Sequence, residues 1–311
     1  MTTKPVQPED LNALPLEELY SQIINAKAVD SLILLAMGED LAARGDVTSR
    51  LMVGPDAVGS GAFVSRAKGV LSGGVLLDVI ARHYDPRLRI AVQVADGGDL
   101  SPGDNFAQIT GPLRSILAAE RVMLNFLTHL SGIATLTAKY VEAITGEKAR
   151  IFDTRKTVPG LRRLAKYAVR CGGGNCHRIG LHDAVLIKDN HLAGVGHGDL
   201  KATLDRAIAE ARVGESPPAF VEVEVDTLDQ LRVVLGCDVD VVLLDNMTPQ
   251  RLREAVAIRD DLHPSVQLEA SGGVSLHNID AIAAAGVDRI AVGAITHSAP
   301  ALDIGLDIAA P

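Results

Sequence analysis

From Arg150 to Ala294 the chain repeats one pattern: a short apolar run, a punctuated turn, a helix-prone segment, then another apolar run. ARIFDTRK ends the first run, and Pro159 is expected to open a helix that Gly172–Gly174 close. DAVLIKDN is the second run, followed by a helix near Leu200–Arg212. FVEVEVD, DVVLLDN, VQLEAS and RIAVGA supply four more, with helices predicted over Thr227–Leu235, Thr248–Asp261 and Leu276–Ala285. Strands about two dozen residues apart, each gap holding a helix, predict βα units and a parallel sheet. So many successive units favour an α/β barrel over an open doubly wound sheet. No GxGxxG follows the first strand, which weakens a dinucleotide-binding reading.

Upstream the pattern differs. Residues 1–18 read as a loose leader, Leu19–Arg44 as one helix, and Gly45-Asp46-Val47 as a turn. From Ala57 to Ile109, β-prone runs separated by Gly, Pro and Asp surround one helix near Val75–His83, which predicts a small α+β unit. Ser72-Gly73-Gly74 reads as a structural helix-entry turn. A long helix over about Ser115–Thr145 carries Leu117, Val122, Leu124, Phe126, Leu127, Leu130, Ile133 and Leu136 on a wide apolar face. Glu120 and Arg121 lie near its start, and position alone gives them no function.

Charge is distributed unevenly. Asp153–His191 holds eight Lys and Arg against three Asp, in a chain of 311 residues whose formal net charge is −9. Cations gathered into one segment of an acidic protein suit a strongly anionic ligand. Arg162, Lys166 and Arg170, at i, i+4 and i+8, read as a solvated helix face. Arg155, Lys156, His177, Arg178 and Lys188 fall beside strand ends and glycines instead. Aromatic residues make up 3% of the chain and there is no Trp, which argues against stacking on single-stranded nucleic acid. The net negative charge argues against duplex binding. The polar N-terminal stretch lacks the apolar block of a signal peptide, and Leu32–Met37 is too short to span a bilayer, so no membrane partner is expected. Three cysteines without a CxxC pair fit a reducing, cytoplasmic setting, and Cys171, Cys176 and His177 do not have structural-zinc spacing.

Groups at the C-terminal ends of barrel strands converge on one mouth. Here they are Arg155/Lys156, Lys188/Asn190, Glu222/Glu224, Asp245/Asn246, Glu269/Ser271 and Gly293. A basic half faces an acidic half. The first suits carboxylates and phosphates. The second could hold a divalent cation through Glu224 and Asp245, or stabilise a cationic sugar centre. Ser271-Gly272-Gly273 and Val292-Gly293-Ala294 follow the last two strands, where barrels often bind phosphate with backbone N–H groups. His177 and Arg178 follow a triple glycine that lets backbone approach a ligand closely. His191, His197 and His297 read as near-even between function and structure, His129 and His182 as structural.

With these motifs in view, the chain resembles the quinolinate phosphoribosyltransferases. DTRKTVPGLRRLAKYAV, GGGNCHRIGL and LIKDNH carry the resemblance, and GDVTS, AERVMLNFLTHLSGIAT, EVEVD, LLDN, EASGG and VGAITHS match in order over nearly the whole chain. The resemblance implies an incomplete, seven-stranded α/β barrel (126–298) and a smaller α/β sandwich domain (1–125), rejoined by 299–311. It implies a pentosyltransferase of de novo NAD biosynthesis. Quinolinate and phosphoribosyl pyrophosphate would give nicotinate mononucleotide, pyrophosphate and CO2, with Mg2+ as cofactor. By matching motif, Arg155, Lys156, His177, Arg178 and Lys188 would surround quinolinate. Arg121 would come from the neighbouring subunit of a homodimer or higher homo-oligomer. Lys156, Lys188, Glu224 and Asp245 would be catalytic, with Glu224 and Asp245 facing ribose and Mg2+. Ser271, Gly272, Gly273 and Gly293 would bind the phosphoribosyl donor.

One motif departs from the family, which usually reads GGG, any residue, then Asn-His-Arg. Here Asn175 is one place early and Cys176 precedes His177. A paralogue using another acceptor should need fewer cations than the five present. A non-catalytic sensor should have lost Glu224, Asp245 or Lys188, and all three are there.

Overall fold

The computed structural model describes residues 8–192, 200–213 and 217–309. Strands β1 (Val58–Ser65), β2 (Gly69–Val70), β3 (Arg89–Val92), β4 (Asp99–Leu100) and β5 (Asn105–Pro112) come first. Then follow β6 (Arg150–Phe152), β7 (Val185–Ile187), β8 (Val221–Val225), β9 (Val241–Asp245), β10 (Gln267–Ser271), β11 (Arg289–Ala291) and β12 (Ile304–Ile308). Packing separates two units. One gathers the chain up to Leu14 with Lys139–Thr157 and Gly174–His297; the other takes Pro15–Ala138, Val158–Gly173 and the chain from Ser298.

The second unit is built on an antiparallel sheet in the order β12-β1-β5-β3, so the C-terminal strand lies beside the first. Phe63 and Phe106, from paired strands, are fully buried with ring centroids 6.2 Å apart. The helix Leu113–Ala143 buries Val122, Leu124, Leu127, Leu130 and Ile133 of the expected apolar face, with Ile116 and Met123 beside them, while Leu117, Phe126 and Leu136 are half-buried. At Ser72–Gly74, Gly73 adopts φ +97°, and the Gly73 and Gly74 amides donate to the Asp96 carboxylate at 3.1 and 2.8 Å. That turn is structural, as read.

Four expectations change. The leader is partly helical, with helices at Pro8–Ala13 and Leu16–Ile23; residues 1–7 lie outside the described residues. The single helix expected over Leu19–Arg44 is two, because Asn25 is extended and its side chain accepts from the Ala28 N–H, starting a new helix at Ala26–Leu41. Lys166 does not face water. The helix Arg162–Cys171 is buried continuously from Leu164 to Val169, so its basic spacing runs through packed structure. Pro159 lies in the turn before that helix, not at its start.

The first unit is a parallel sheet in the order β6-β11-β10-β9-β8-β7. Each strand from β7 to β10 pairs with its successor, and β6 pairs with β11. Such an order closes the sheet on itself and leaves one seam, between β6 and β7. Six strands are present among the described residues. At the seam Asn175 makes a single parallel bridge to Phe152, which reduces the seventh strand to one residue. The bridge is reinforced by Asn175 Nδ2, which donates to the Ile151 carbonyl at 3.1 Å. Curling is visible in the interior too, where the Arg289 guanidinium of β11 lies 4.0 Å from the Phe152 ring centroid and 5.2 Å from that of Phe220.

Helices enter the ring on schedule. Thr227 and Gln230 form a reciprocal capping box after β8, and Thr248 caps a helix with Pro249 in its first turn after β9. The last predicted helix is shorter than expected, Ile279–Ala283. Among the described residues no helix is long and apolar enough to cross a membrane.

At the opposite end of the strands, Asp288 accepts from the Leu268 N–H at 2.9 Å and from buried Arg259 at 2.7 Å, and pairs with Lys148 at 3.1 Å. Burial opposes the charge, but these donors outweigh it and lower the carboxyl pKa. A depressed carboxylate stabilises the fold above the ordinary pKa of about 4, and that contribution fades as pH falls through the folded value. Asp288→Asn should therefore cost about 2 kcal/mol at neutral pH. Denaturant unfolding at neutral pH and in acid checks this, with the wild-type advantage shrinking in acid.

Candidate active site

Along β8 the valines 221, 223 and 225 are buried, so Glu222 and Glu224 share the opposite face, which points into the ring. By the same alternation β9 places Leu243 and Asp245 inward, and β10 places Glu269 and Ser271 inward. All of these inward residues but Glu222 line a cavity of about 620 Å³ at the C-terminal ends of the strands. Thr154, Arg155, Lys156, His177, Arg178 and Lys188 form one side. Glu224, Asp245, Asn246, Ser271, Gly272 and Gly273 form the other, with Leu186, Leu243 and Ala291 supplying apolar surface. The basic and acidic halves expected from sequence are thus present in one cavity.

Two aspartates shape the basic half. Asp153 Oδ1 accepts the His177 N–H at 2.8 Å, and the Asp183 carboxylate accepts the Ile179 and Gly180 amides at 2.6 and 2.8 Å. The chain carrying His177 and Arg178 is held from both ends. Arg178 is 6% exposed; burial, and then the neighbouring Arg155, lower its pKa. Arg155 Nε is buried and has no hydrogen-bond partner. Two guanidiniums crowded together with an unsatisfied donor make a site for an anion, because an arriving carboxylate relieves both the repulsion and the missing bond. Lys188 differs, since its ammonium is already ion-paired with Glu224.

The floor beneath is charged and buried. His177 Nε2 lies 3.0 Å from Glu222 Oε2 and 3.3 Å from Glu269 Oε1, and Glu269 Oε2 lies 2.8 Å from Arg289 Nε. Glu222 and Glu269 are fully buried. The sequence reading put them at the mouth with Glu224 and Ser271; Glu222 lies deeper and Glu269 belongs to the buried floor, because period-two alternation gives the face of a strand but not the depth. Burial alone would lower the His177 pKa, and Glu269 and Glu222 outweigh it and raise it. The Arg178 N–H, which donates to His177 Nδ1 at 2.7 Å, works against a second ring proton. Glu269 is lowered despite its burial, held down by His177 and Arg289. Arg289 was not singled out in the sequence. Its signal was a charge opening the otherwise apolar strand RIAVGA.

Other expected residues fall as follows. Gly272 has φ +87° and Gly273 φ +62°, and a Cβ on Gly272 would come within 2.2 Å of Asn246 Oδ1. Gly293 is not a lining residue but abuts Lys156, whose Cδ would lie 3.3 Å from an added Cβ. Thr296 Oγ1 donates to the Lys156 carbonyl at 2.7 Å and joins the loop after β6 to the segment after β11. Arg121 is exposed on the helix Leu113–Ala143 and does not line this cavity. His191 Nδ1 accepts the Lys188 N–H at 2.9 Å, a structural bond, and His197 lies outside the described residues. The displaced Asn175 is spent on the seam of the barrel. Cys176 is fully buried, its N–H and carbonyl bonded to the Asn12 side chain at 2.7 and 3.0 Å. Asn246, noted at a strand end but given no role, joins the site through its bond to Asp245 Oδ2 at 2.6 Å.

Gly272→Ala should destabilise the protein by about 1–3 kcal/mol, from left-handed backbone and the Asn246 overlap together. Thermal unfolding measures it, and an unchanged transition would show that the turn relaxes freely.

Comparison with known proteins identifies the family and agrees with the fold. The family model described as quinolinate phosphoribosyl transferase, C-terminal domain, matches residues 133–307, and its N-terminal domain counterpart matches residues 46–131. A carboxylating nicotinate-nucleotide pyrophosphorylase from Mycobacterium leprae is 45% identical over 90% of this chain and 97% of its own. A probable enzyme of the same name from Bacillus subtilis is 36% identical over 85% of this chain and 88% of its own. The structure of the nicotinate-nucleotide pyrophosphorylase from Francisella tularensis superposes with a TM-score of 0.82 at 37% identity, over 92% of this chain and 98% of that one. The chain belongs to the quinolinate phosphoribosyl transferase family.

Proposed function

We propose that this protein transfers the phosphoribosyl group of phosphoribosyl pyrophosphate to quinolinate with loss of CO2, giving nicotinate mononucleotide and pyrophosphate. The observation that carries the reading is the cavity in which Arg155, Lys156 and Arg178 have no carboxylate partner among the described residues. Quinolinate brings two adjacent carboxylates, and cations already crowded together are matched to a dianion better than to a single charge. Arg155, Lys156, Arg178 and Lys188 grip it, with His177 alongside. Arg121 joins them from a neighbouring subunit, which makes a homodimer the smallest complete enzyme.

Glu224 and Asp245 face the sugar, and Ser271, Gly272, Gly273 and Gly293 take the 5′-phosphate, the glycines allowing close approach of backbone N–H groups. The bond from C1 to the pyrophosphate oxygen breaks, and the pyridine nitrogen forms the new bond to C1. The carboxylates stabilise the cationic sugar between these events. Positioning the two reactants in one cavity removes much of the entropic barrier. The bond from C2 to its carboxylate then breaks. Its electron pair stays in a ring made electron-poor by N-ribosylation, and C2 takes a proton as CO2 leaves.

Two hard carboxylate ligands with little protein cage fit Mg2+, which binds through one or two carboxylates and substrate phosphates. Glu224 and Asp245 would hold it, and when bound it supplies charge neutralisation to the pyrophosphate. Cys171, Cys176 and Cys237 are buried thiols, none of them in a disulfide, and suit the reducing cytoplasm.

The purified protein given quinolinate, phosphoribosyl pyrophosphate and Mg2+ should release one CO2 for each pyrophosphate. Arg178→Ala should lower kcat/KM for quinolinate by the equivalent of about 3–5 kcal/mol, since it leaves a buried carboxylate unpaired, with the fold intact by circular dichroism. Turnover of nicotinate without CO2, or unchanged kinetics in the variant, would refute the assignment.

A further inference from the structure

His177 borders the cavity, yet neither ring nitrogen is free to serve a ligand. Nε2 faces Glu222 and Glu269, and Nδ1 accepts the Arg178 N–H at 2.7 Å. That N–H needs a lone pair on Nδ1, so the ring's proton sits on Nε2, toward the carboxylates. Turning the ring over would break both contacts at once. The ring is also fixed against Phe220, edge to face with centroids 5.4 Å apart.

The atoms of His177, Glu222 and Glu269 lie within 4.8 Å of one another, a spacing that could hold a metal ion. A cation is already there. Arg289, 4% exposed, reaches Glu269 at 2.8 Å and stacks over Phe152. With Glu269 answered by Arg289, Glu222 and the remaining oxygen of Glu269 are left to hold Nε2–H.

We propose that Glu222 and Glu269 are positioning residues for the acceptor: they fix the His177 ring so that Nδ1 holds the Arg178 amide, and this aims the Arg178 guanidinium into the cavity against the repulsion of Arg155. The inference rests on the reading of Arg178 as a carboxylate-binding group. The two glutamates touch no substrate. Their effect travels through one ring and one peptide N–H, so it falls on acceptor binding, while the donor groups Glu224, Asp245, Ser271, Gly272 and Gly273 lie outside that chain of contacts.

The test combines kinetics and nitrogen NMR on the full-length protein. Glu222→Gln and Glu269→Gln keep the shape and remove the charge. Each should raise the quinolinate KM about tenfold or more while the phosphoribosyl pyrophosphate KM stays within error, a split that general loosening of the fold would not produce. In histidine-labelled wild-type protein, the His177 signal, assigned with His177→Asn, should show a bare Nδ1 and a protonated Nε2. Should neither glutamine variant fold, the wild-type tautomer decides. A proton on Nδ1, or a folded variant whose two KM values are unchanged or rise together, would overturn the proposal. If the wild-type protein does not turn over quinolinate, the functional reading fails, and the ring assignment is still decided by the spectrum.

Discussion

Everything at the mouth of the barrel depends on one pairing, β6 against β11. Were β6 paired with its successor in sequence, Arg155 and Lys156 would lie at an outer edge of an open sheet, strands away from Asp245 and Ser271. Pairing with the last strand brings the loop after β6 beside Gly293 and opposite Glu224. The Thr296 bond to the Lys156 carbonyl fixes that closure at the rim, and the Arg289–Glu269 pair fixes it inside. A ring closed this way needs no seventh full strand. The single bridge of Asn175 satisfies the exposed edge of β6 and frees the chain after it to turn inward with His177 and Arg178.

The interior is then organised by depth. At the base Asp288 ties two strand starts to Arg259 and Lys148. Above it, His177, Glu222, Glu269 and Arg289 form a buried layer in which opposite charges answer one another. Among the described residues of this interior, the cations left without carboxylates are at the rim, Arg155, Lys156 and Arg178. Charges are costly to bury unless paired, so a layer this buried depends on its opposite charges lying together. Lys156 is exposed and Arg155 half-buried, so water can meet part of this charge, whereas Arg178 is buried and bears the cost of its charge until a ligand arrives. Binding capacity is therefore confined to one level of the barrel.

Much of this was legible in the sequence because parallel barrel strands are buried on both faces and read as short apolar runs. All six strands, the long helix and the glycine turns after β10 and β11 could be read from that signal and from turn chemistry. So could the opposition of Arg155, Lys156, Arg178 and Lys188 to Glu224 and Asp245, since charge at a strand end stands out against an apolar body. Depth was not legible. Glu222 and Glu224 are equivalent in VEVEVD, and only the ring shows that one is sealed beneath and the other lies at the rim. Lys166 shows the same limit, a lysine at a surface-like spacing on a helix that turns out to be buried. The break at Asn25 was missed because a single side-chain cap outweighed a continuous helix-forming composition.

The central claim is that the basic half of the cavity is built for two adjacent carboxylates. Calorimetric titration of quinolinate and of nicotinate into the purified protein tests it most directly. Quinolinate should bind at least about tenfold more tightly, the yield of one further charge-assisted contact, and its advantage should shrink as salt is added. Equal or tighter binding of nicotinate would contradict the account, because one carboxylate would then satisfy the cations that the fold has brought together.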